Sequence, residues 1–173
     1  MSSSSLSPRD KAQIAKAQLQ WTRQYTQTLL ADLEPDDWFQ MPLGKTHIAW
    51  QCGHIAMGQY ALALLRVRGK LPEDQEFITS AFFKFFKKTS TPKPEPEANP
   101  PLDEILGTMN AVHEQALREI DQYTDEQLGE ELPEPYSVEP TKLGSIYFAS
   151  SHEMIHAGQI GLLRRLIGKP PVR

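Results

Sequence analysis

His152-Glu153-Met154-Ile155-His156 places two imidazoles four residues apart within a stretch of helical periodicity. At this spacing the two rings share one helix face, about 40° apart around the axis and one turn apart in height. That is bidentate metal geometry. Two neutral, unpartnered histidines on an inward face carry an uncompensated polar cost, and one divalent ion satisfies a nitrogen of each; the alternative is a solvated pair on an outer face. The string also matches H-E-x-x-H, in which zinc metalloproteases use the Glu as general base. Such sites commonly take their third ligand from downstream. Residues 157–173 contain no His, Asp, Glu or Cys, and the extended motif would need His where Leu162 stands. A third ligand must therefore come from earlier in the chain, which ranks the protease reading last.

His54, in Trp50-Gln51-Cys52-Gly53-His54-Ile55, is the best candidate. Alone, a histidine among Ile55, Ala56 and Tyr60 reads as a hydrogen-bonded core residue; a pair elsewhere that needs a third nitrogen favours the ligand reading. His47 lies on nearly the same face but ~10.5 Å lower, too far to share an ion with ~2.1 Å bonds, and reads as a polar residue at a helix start. Cys52 points about 200° away from His54 and reads as packing. His113 reads as boundary packing, since three histidines already complete an open site. Glu153 sits roughly 80° around from the midpoint of the pair. It is a candidate to act as a base or to hold a metal-bound ligand or water, the other reading being a solvated side chain. Gln159 is a candidate to orient a bound ligand by hydrogen bonding but cannot act as a base.

Four helical stretches must position these side chains. Ser7-Pro8 reads as N-cap and N1 of helix one, along which Ile14, Trp21, Tyr25 and Leu29 recur at helical spacing as far as Leu33. Pro35 and Pro42 break the pattern, and helix two runs from Thr46 to Val67, closed by Gly69 and Pro72. A long connection, Pro72 to Pro101, holds the aromatic block Phe77 to Phe86, whose first reading is an extra piece of core and whose alternatives are a lid over the metal mouth or a dimer patch, and a proline-rich tract. Helix three carries Ile105, Met109, Val112, Ala116 and Ile120. Helix four spans about Thr141 to Ile167. The pattern predicts an all-α four-helix bundle in which helices two and four face each other. The long connection between helices two and three is a crossover that makes them parallel.

At 173 residues the chain predicts one domain over 7–173 behind a flexible tail at 1–6. Apolar residues at 39% and charged residues at 23% exclude a disordered or collagen-like chain. Eighteen Lys and Arg against 22 Asp and Glu, with no basic stripe, argue against a nucleic-acid partner. A single cysteine suits a reducing, cytoplasmic compartment. The absence of a leader core and of a run of ~20 apolar residues argues against membrane association. No Ser-His-Asp arrangement or glycine-rich phosphate loop competes with the histidines.

The chain resembles the DinB-like superfamily, which includes the YfiT-like proteins. The resemblance rests on Trp50-Gln51-Cys52-Gly53-His54-Ile55, on His152-Glu153-Met154-Ile155-His156-Ala157-Gly158-Gln159-Ile160, and on the closing Leu163-Arg164-Arg165-Leu166-Ile167-Gly168-Lys169-Pro170. It covers nearly the whole chain. It implies an up-down-down-up bundle and a divalent metal, Ni2+ or Zn2+, held by His54, His152 and His156. It also implies a homodimer and a small-molecule substrate, with a low-molecular-weight thiol among the candidates. The Phe82-Phe83-Lys84-Phe85-Phe86-Lys87-Lys88 block and the proline-rich tract depart from the family pattern.

Three protein ligands with an open fourth position make a catalytic rather than a structural arrangement. A bound metal lowers the pKa of water or a thiol, which serves hydrolysis and thiolate transfer alike. The leading expectation is thus a metal-dependent hydrolase or thiol-dependent transferase. The alternative is a non-catalytic metal- or small-ligand-binding bundle of a stress response.

Overall fold

The computed structural model describes residues 6–172, so the tail expected over 1–6 lies, Leu6 apart, outside the described residues. The first helix, α1 (Pro8–Leu30), opens with a reciprocal cap: the Asp10 amide donates to Ser7 Oγ at 3.2 Å and the Ser7 amide to the Asp10 carboxylate at 3.3 Å. It ends three residues short of Leu33, ahead of a turn at Pro35–Asp37. Its inward face differs from the aromatic stripe seen in the sequence. Ala12, Ala15, Leu19, Thr22, Arg23, Thr26 and Leu29 are buried, while Ile14 and Trp21 are 52% and 60% exposed. Small residues allow α1 to approach its neighbours closely, and the bulky pair is left outside.

The second stretch is α2 (Ile48–Gln59), a π-helical turn at Tyr60–Leu65, and α3 (Arg66–Arg68). It starts two residues later than Thr46 because His47 is the N-cap, its Nδ1 accepting from the Trp50 amide at 3.1 Å. Gly69, at φ 84°, ends it in a backbone conformation that favours glycine. The connection that follows contains α4 (Ser80–Phe85), capped by Thr79. Phe82 and Phe86 are fully buried and the half-buried Phe77, Phe83 and Phe85 pack against the core, so this block is part of it. Asn99 folds the proline-rich tract by donating to the Lys93 and Glu95 carbonyls at 2.9 and 2.8 Å.

Beyond it come α5 (Leu102–Ile120), the short α6 (Asp125–Gly129) that proline spacing concealed, and α7 (Lys142–Leu166). The described residues are all-helical, with no strand and one isolated bridge between Glu131 and Thr141. The long stretches pack in a closed ring: α1 on α7, α7 on α2, α2 on α5, and α5 on α1. Among the described residues, no helix is long and apolar enough to cross a membrane.

At the centre lies a polar hub. Arg23 donates to both Glu153 carboxylate oxygens (2.7 and 3.2 Å), to the Met109 carbonyl (2.9 Å) and to Gln59 Oε1 (2.9 Å). One guanidinium on α1 therefore touches α7, α5 and α2.

Candidate metal centre

Helix α2 faces α7 so that His54, His152 and His156 converge, each offering a ring nitrogen within 4.8 Å of the other two. Their ring centroids stand 4.5 to 5.2 Å apart. One ion with bonds of about 2.0–2.1 Å needs such a cluster. No Asp, Glu or Cys among the described residues joins it.

The hydrogen bonds around the rings choose which nitrogen is free. His54 Nδ1 lies 2.7 Å from the Phe86 carbonyl oxygen, and since a carbonyl only accepts, Nδ1 carries the proton and Nε2 keeps its lone pair. His156 Nδ1 lies 2.6 Å from Gln51 Oε1. With Gln51 Nε2 donating to Thr46 Oγ1 at 2.9 Å, Oε1 is the amide atom that faces His156 and accepts from Nδ1, which leaves Nε2 to present its lone pair. Burial drives the ring pKa values down: His54 falls below its ordinary range, His152 to about 4 and His156 to about 3, the neighbouring imidazoles adding to the burial effect for the last two. Three neutral imidazoles are the protonation state a divalent cation requires. Three apposed imidazoles, with His54 and His156 buried and each held by an acceptor and His152 half-buried, fit a divalent ion.

Two glycines make room for this arrangement. A Cβ on Gly58, one turn beyond His54, would overlap the His152 ring. One on Gly53 would overlap the Phe86 ring, and Phe86 is the residue whose carbonyl supports His54. Trp50 stacks on His54 at 4.8 Å and 11°, and its indole N–H donates to Ser90 Oγ at 3.2 Å.

The other candidates are placed elsewhere. His47 is fully buried at the α2 N-cap, outside the cluster, its pKa pushed by burial to about 4. Cys52 is buried, its thiol pushed by burial up to about 12, and packs as the sequence suggests. His113 faces Gln59, which, with its oxygen taken by Arg23, donates to His113 Nδ1 at 3.0 Å. Glu153 is not the solvated side chain that one reading of the sequence expects: it is buried and both its carboxylate oxygens accept from Arg23, because the face of α7 beside the histidines turns into the core. Gln159 lies beside His156 on the exposed rim, and the amide that orients the His156 ring is Gln51.

Gln51 was available to a helical-wheel argument, three residues before His54 on the same face, as was Gly58 four residues after it. The Phe86 carbonyl was not, since a backbone group leaves no residue-type signal. A family model described as the DinB superfamily matches residues 18–160. Neither a curated protein nor a solved structure matches the chain.

Proposed function

This chain belongs to the DinB superfamily, and on that premise we propose that it is a metal-dependent enzyme. Its three-histidine centre activates water or a low-molecular-weight thiol, acting as a hydrolase or a thiol S-transferase. The observation that carries this reading is the convergence of three neutral imidazoles, two of them with Nδ1 already committed, and no fourth protein ligand among the described residues. His54, His152 and His156 would hold the ion, Ni2+ or Zn2+. When bound, it would supply a +2 charge that lowers the pKa of a coordinated oxygen or sulfur. Gln51 and the Phe86 carbonyl keep two rings in the required tautomer and orientation. Gly58 leaves the space in which His152 turns toward α2, and Gln159 on the rim is placed to hydrogen-bond an incoming group. With Glu153 tied to Arg23, the chain does not offer it as a base.

We also take the ring of α1, α7, α2 and α5 to be the up-down-down-up four-helix bundle. The homodimer and the cytoplasmic location are proposals that rest on the family and on the single cysteine; sedimentation as a monomer at micromolar concentration removes the dimer.

The test is elemental analysis of purified protein, followed by assays of metal-loaded protein against thiol–electrophile pairs and simple esters and amides, with His152→Ala as the matched control. The reading expects bound nickel or zinc and turnover that His152→Ala abolishes. Protein with no affinity for either metal overturns it. Tight metal with no turnover across the panel replaces it with a non-catalytic binding bundle.

A further inference from the structure

A row of aromatic rings leads away from the histidines and ends on a cation. Phe148, one turn before His152 on α7, stands 6.3 Å from the His152 ring; Tyr136, in the loop ahead of α7, stands 5.6 Å from Phe148. The Arg66 guanidinium lies 4.1 Å over the Tyr136 ring. Tyr136 is 51% exposed, and Phe148 and Arg66 are half-buried, so the row is open to solvent along its length.

Arg66 differs from the arginines of the core. Arg23, Arg68 and Arg164 each grip a carboxylate, whereas no ion pair forms at Arg66 among the described residues. Of its five N–H donors, one hydrogen bond is made, from Nη1 to the Glu134 carbonyl at 2.9 Å. Stacking on Tyr136 and this single bond hold the planar fork in place while leaving donors free, the arrangement that suits two-pronged binding of a carboxylate. The loop that carries Tyr136 is acidic, with Glu130, Glu131, Glu134 and Glu139, so recognition of an anion there rests on the free donors of Arg66 itself. Residues 77–93 carry Lys84, Lys87, Lys88 and Lys93 and no Asp or Glu, and Phe86 within that stretch gives its carbonyl to His54.

Resting on the reading of the centre as one that takes a donor atom on its metal, we infer that Arg66 selects the substrate. The ligand is an extended anion with its metal-binding atom at the three histidines, its middle laid on Phe148 and Tyr136, and a carboxylate on Arg66. The three steps along the row, 6.3, 5.6 and 4.1 Å, amount to four or five residues of extended peptide at about 3.5 Å per residue. A ligand much shorter than this reaches the metal but not the arginine.

The probes are N-acetylated peptides of one cysteine followed by one, three or four glycines, each with a free C-terminal carboxylate or a C-terminal amide. Binding to the full-length, Co2+-loaded protein is read from the visible spectrum, which responds to thiolate coordination, and by calorimetry. The carboxylate form of the longer peptides is expected to bind about tenfold tighter than the amide, the scale of a charged hydrogen bond. The shortest peptide is expected to show no preference. Arg66→Gln should erase the preference, and Arg66→Lys should retain part of it. Both variants should keep the affinity for Co2+ and for the amide peptides. If Arg66 only clips the loop to α3, the preference is absent or survives Arg66→Gln, which overturns the inference while leaving the metal reading intact. If neither peptide alters the spectrum of protein that still holds Co2+, the donor-accepting centre itself is wrong, and the assignment of Arg66 falls with it.

Discussion

The carboxylate of Glu153, next in sequence to the metal-ligand candidate His152, is gripped on both oxygens by the guanidinium of Arg23, 130 residues away, in a pair 1% and 2% exposed. Because Arg23 also binds the Met109 carbonyl and Gln59, the pair fixes the rotation of α7 about its own axis. That rotation decides whether His152 and His156 face α2. A buried charge left without its partner costs about 3–5 kcal/mol. Arg23→Met and Glu153→Leu should each lower unfolding stability on that scale in urea titrations. Glu153→Gln tests the alternative role: a catalytic base would leave the unfolding midpoint unchanged and abolish turnover, whereas the tie predicts a lowered midpoint.

Gln51 is not among the three ligand candidates, yet its oxygen receives the Nδ1 proton of one of them, His156. Loss of such an outer partner typically lowers metal affinity about 10- to 100-fold. Gln51→Leu should show a loss of that size in competition titrations with a chelator while retaining native helicity, and Gln51→Glu, which restores an acceptor, should recover part of it. Wild-type affinity in Gln51→Leu would mean the ring is held by packing alone.

Gly58→Ala adds one methyl group where the His152 ring lies. Alanine favours an α-helix over glycine by roughly 1 kcal/mol, so the local backbone gains while the ring must move. Metal affinity is expected to fall sharply with helicity preserved. Gly107→Ala, where an added Cβ meets open space, is the control and should bind metal normally.

His47 and His113 are buried and held neutral, with pKa values of about 4 and about 3. In the unfolded chain a histidine titrates near 6.5. Between those values the unfolded state binds more protons than the folded state, so folding stability rises with pH. The contribution is complete above about pH 6.5 and is lost as pH falls toward 4, at up to about 1.4 kcal/mol per pH unit for each histidine. His54, His152 and His156 act in the same direction in metal-free protein. His47→Asn, which keeps an N-cap acceptor, should flatten the slope of stability against pH between 6.5 and 4 and retain the metal. An unchanged slope, or loss of metal, would contradict the role given to His47.

The four long helices and the three histidines were legible in the sequence because both are written in short-range spacing. Apolar residues at intervals of 3.6 and two histidines four apart need no knowledge of the partner helix, and the lack of a ligating side chain in residues 157–173 leaves His54 as the third. The same periodicity was ambiguous for α1. One register offers Ile14, Trp21 and Tyr25, another offers Ala12, Ala15, Leu19 and Arg23, and both satisfy a helical repeat. Only packing against α7 and α5 selected the second, since small residues permit the close approach that lets Arg23 reach Glu153. The supporting acceptors were settled the same way. Gln51 and the Phe86 carbonyl act on rings 105 and 32 residues away, so their roles depend on which elements become neighbours. Local propensity determines where helices lie and which side chains share a face; burial and hydrogen-bond satisfaction across the whole core determine which face turns inward, and with it whether a carboxylate beside a metal ligand does chemistry or holds the helices in place.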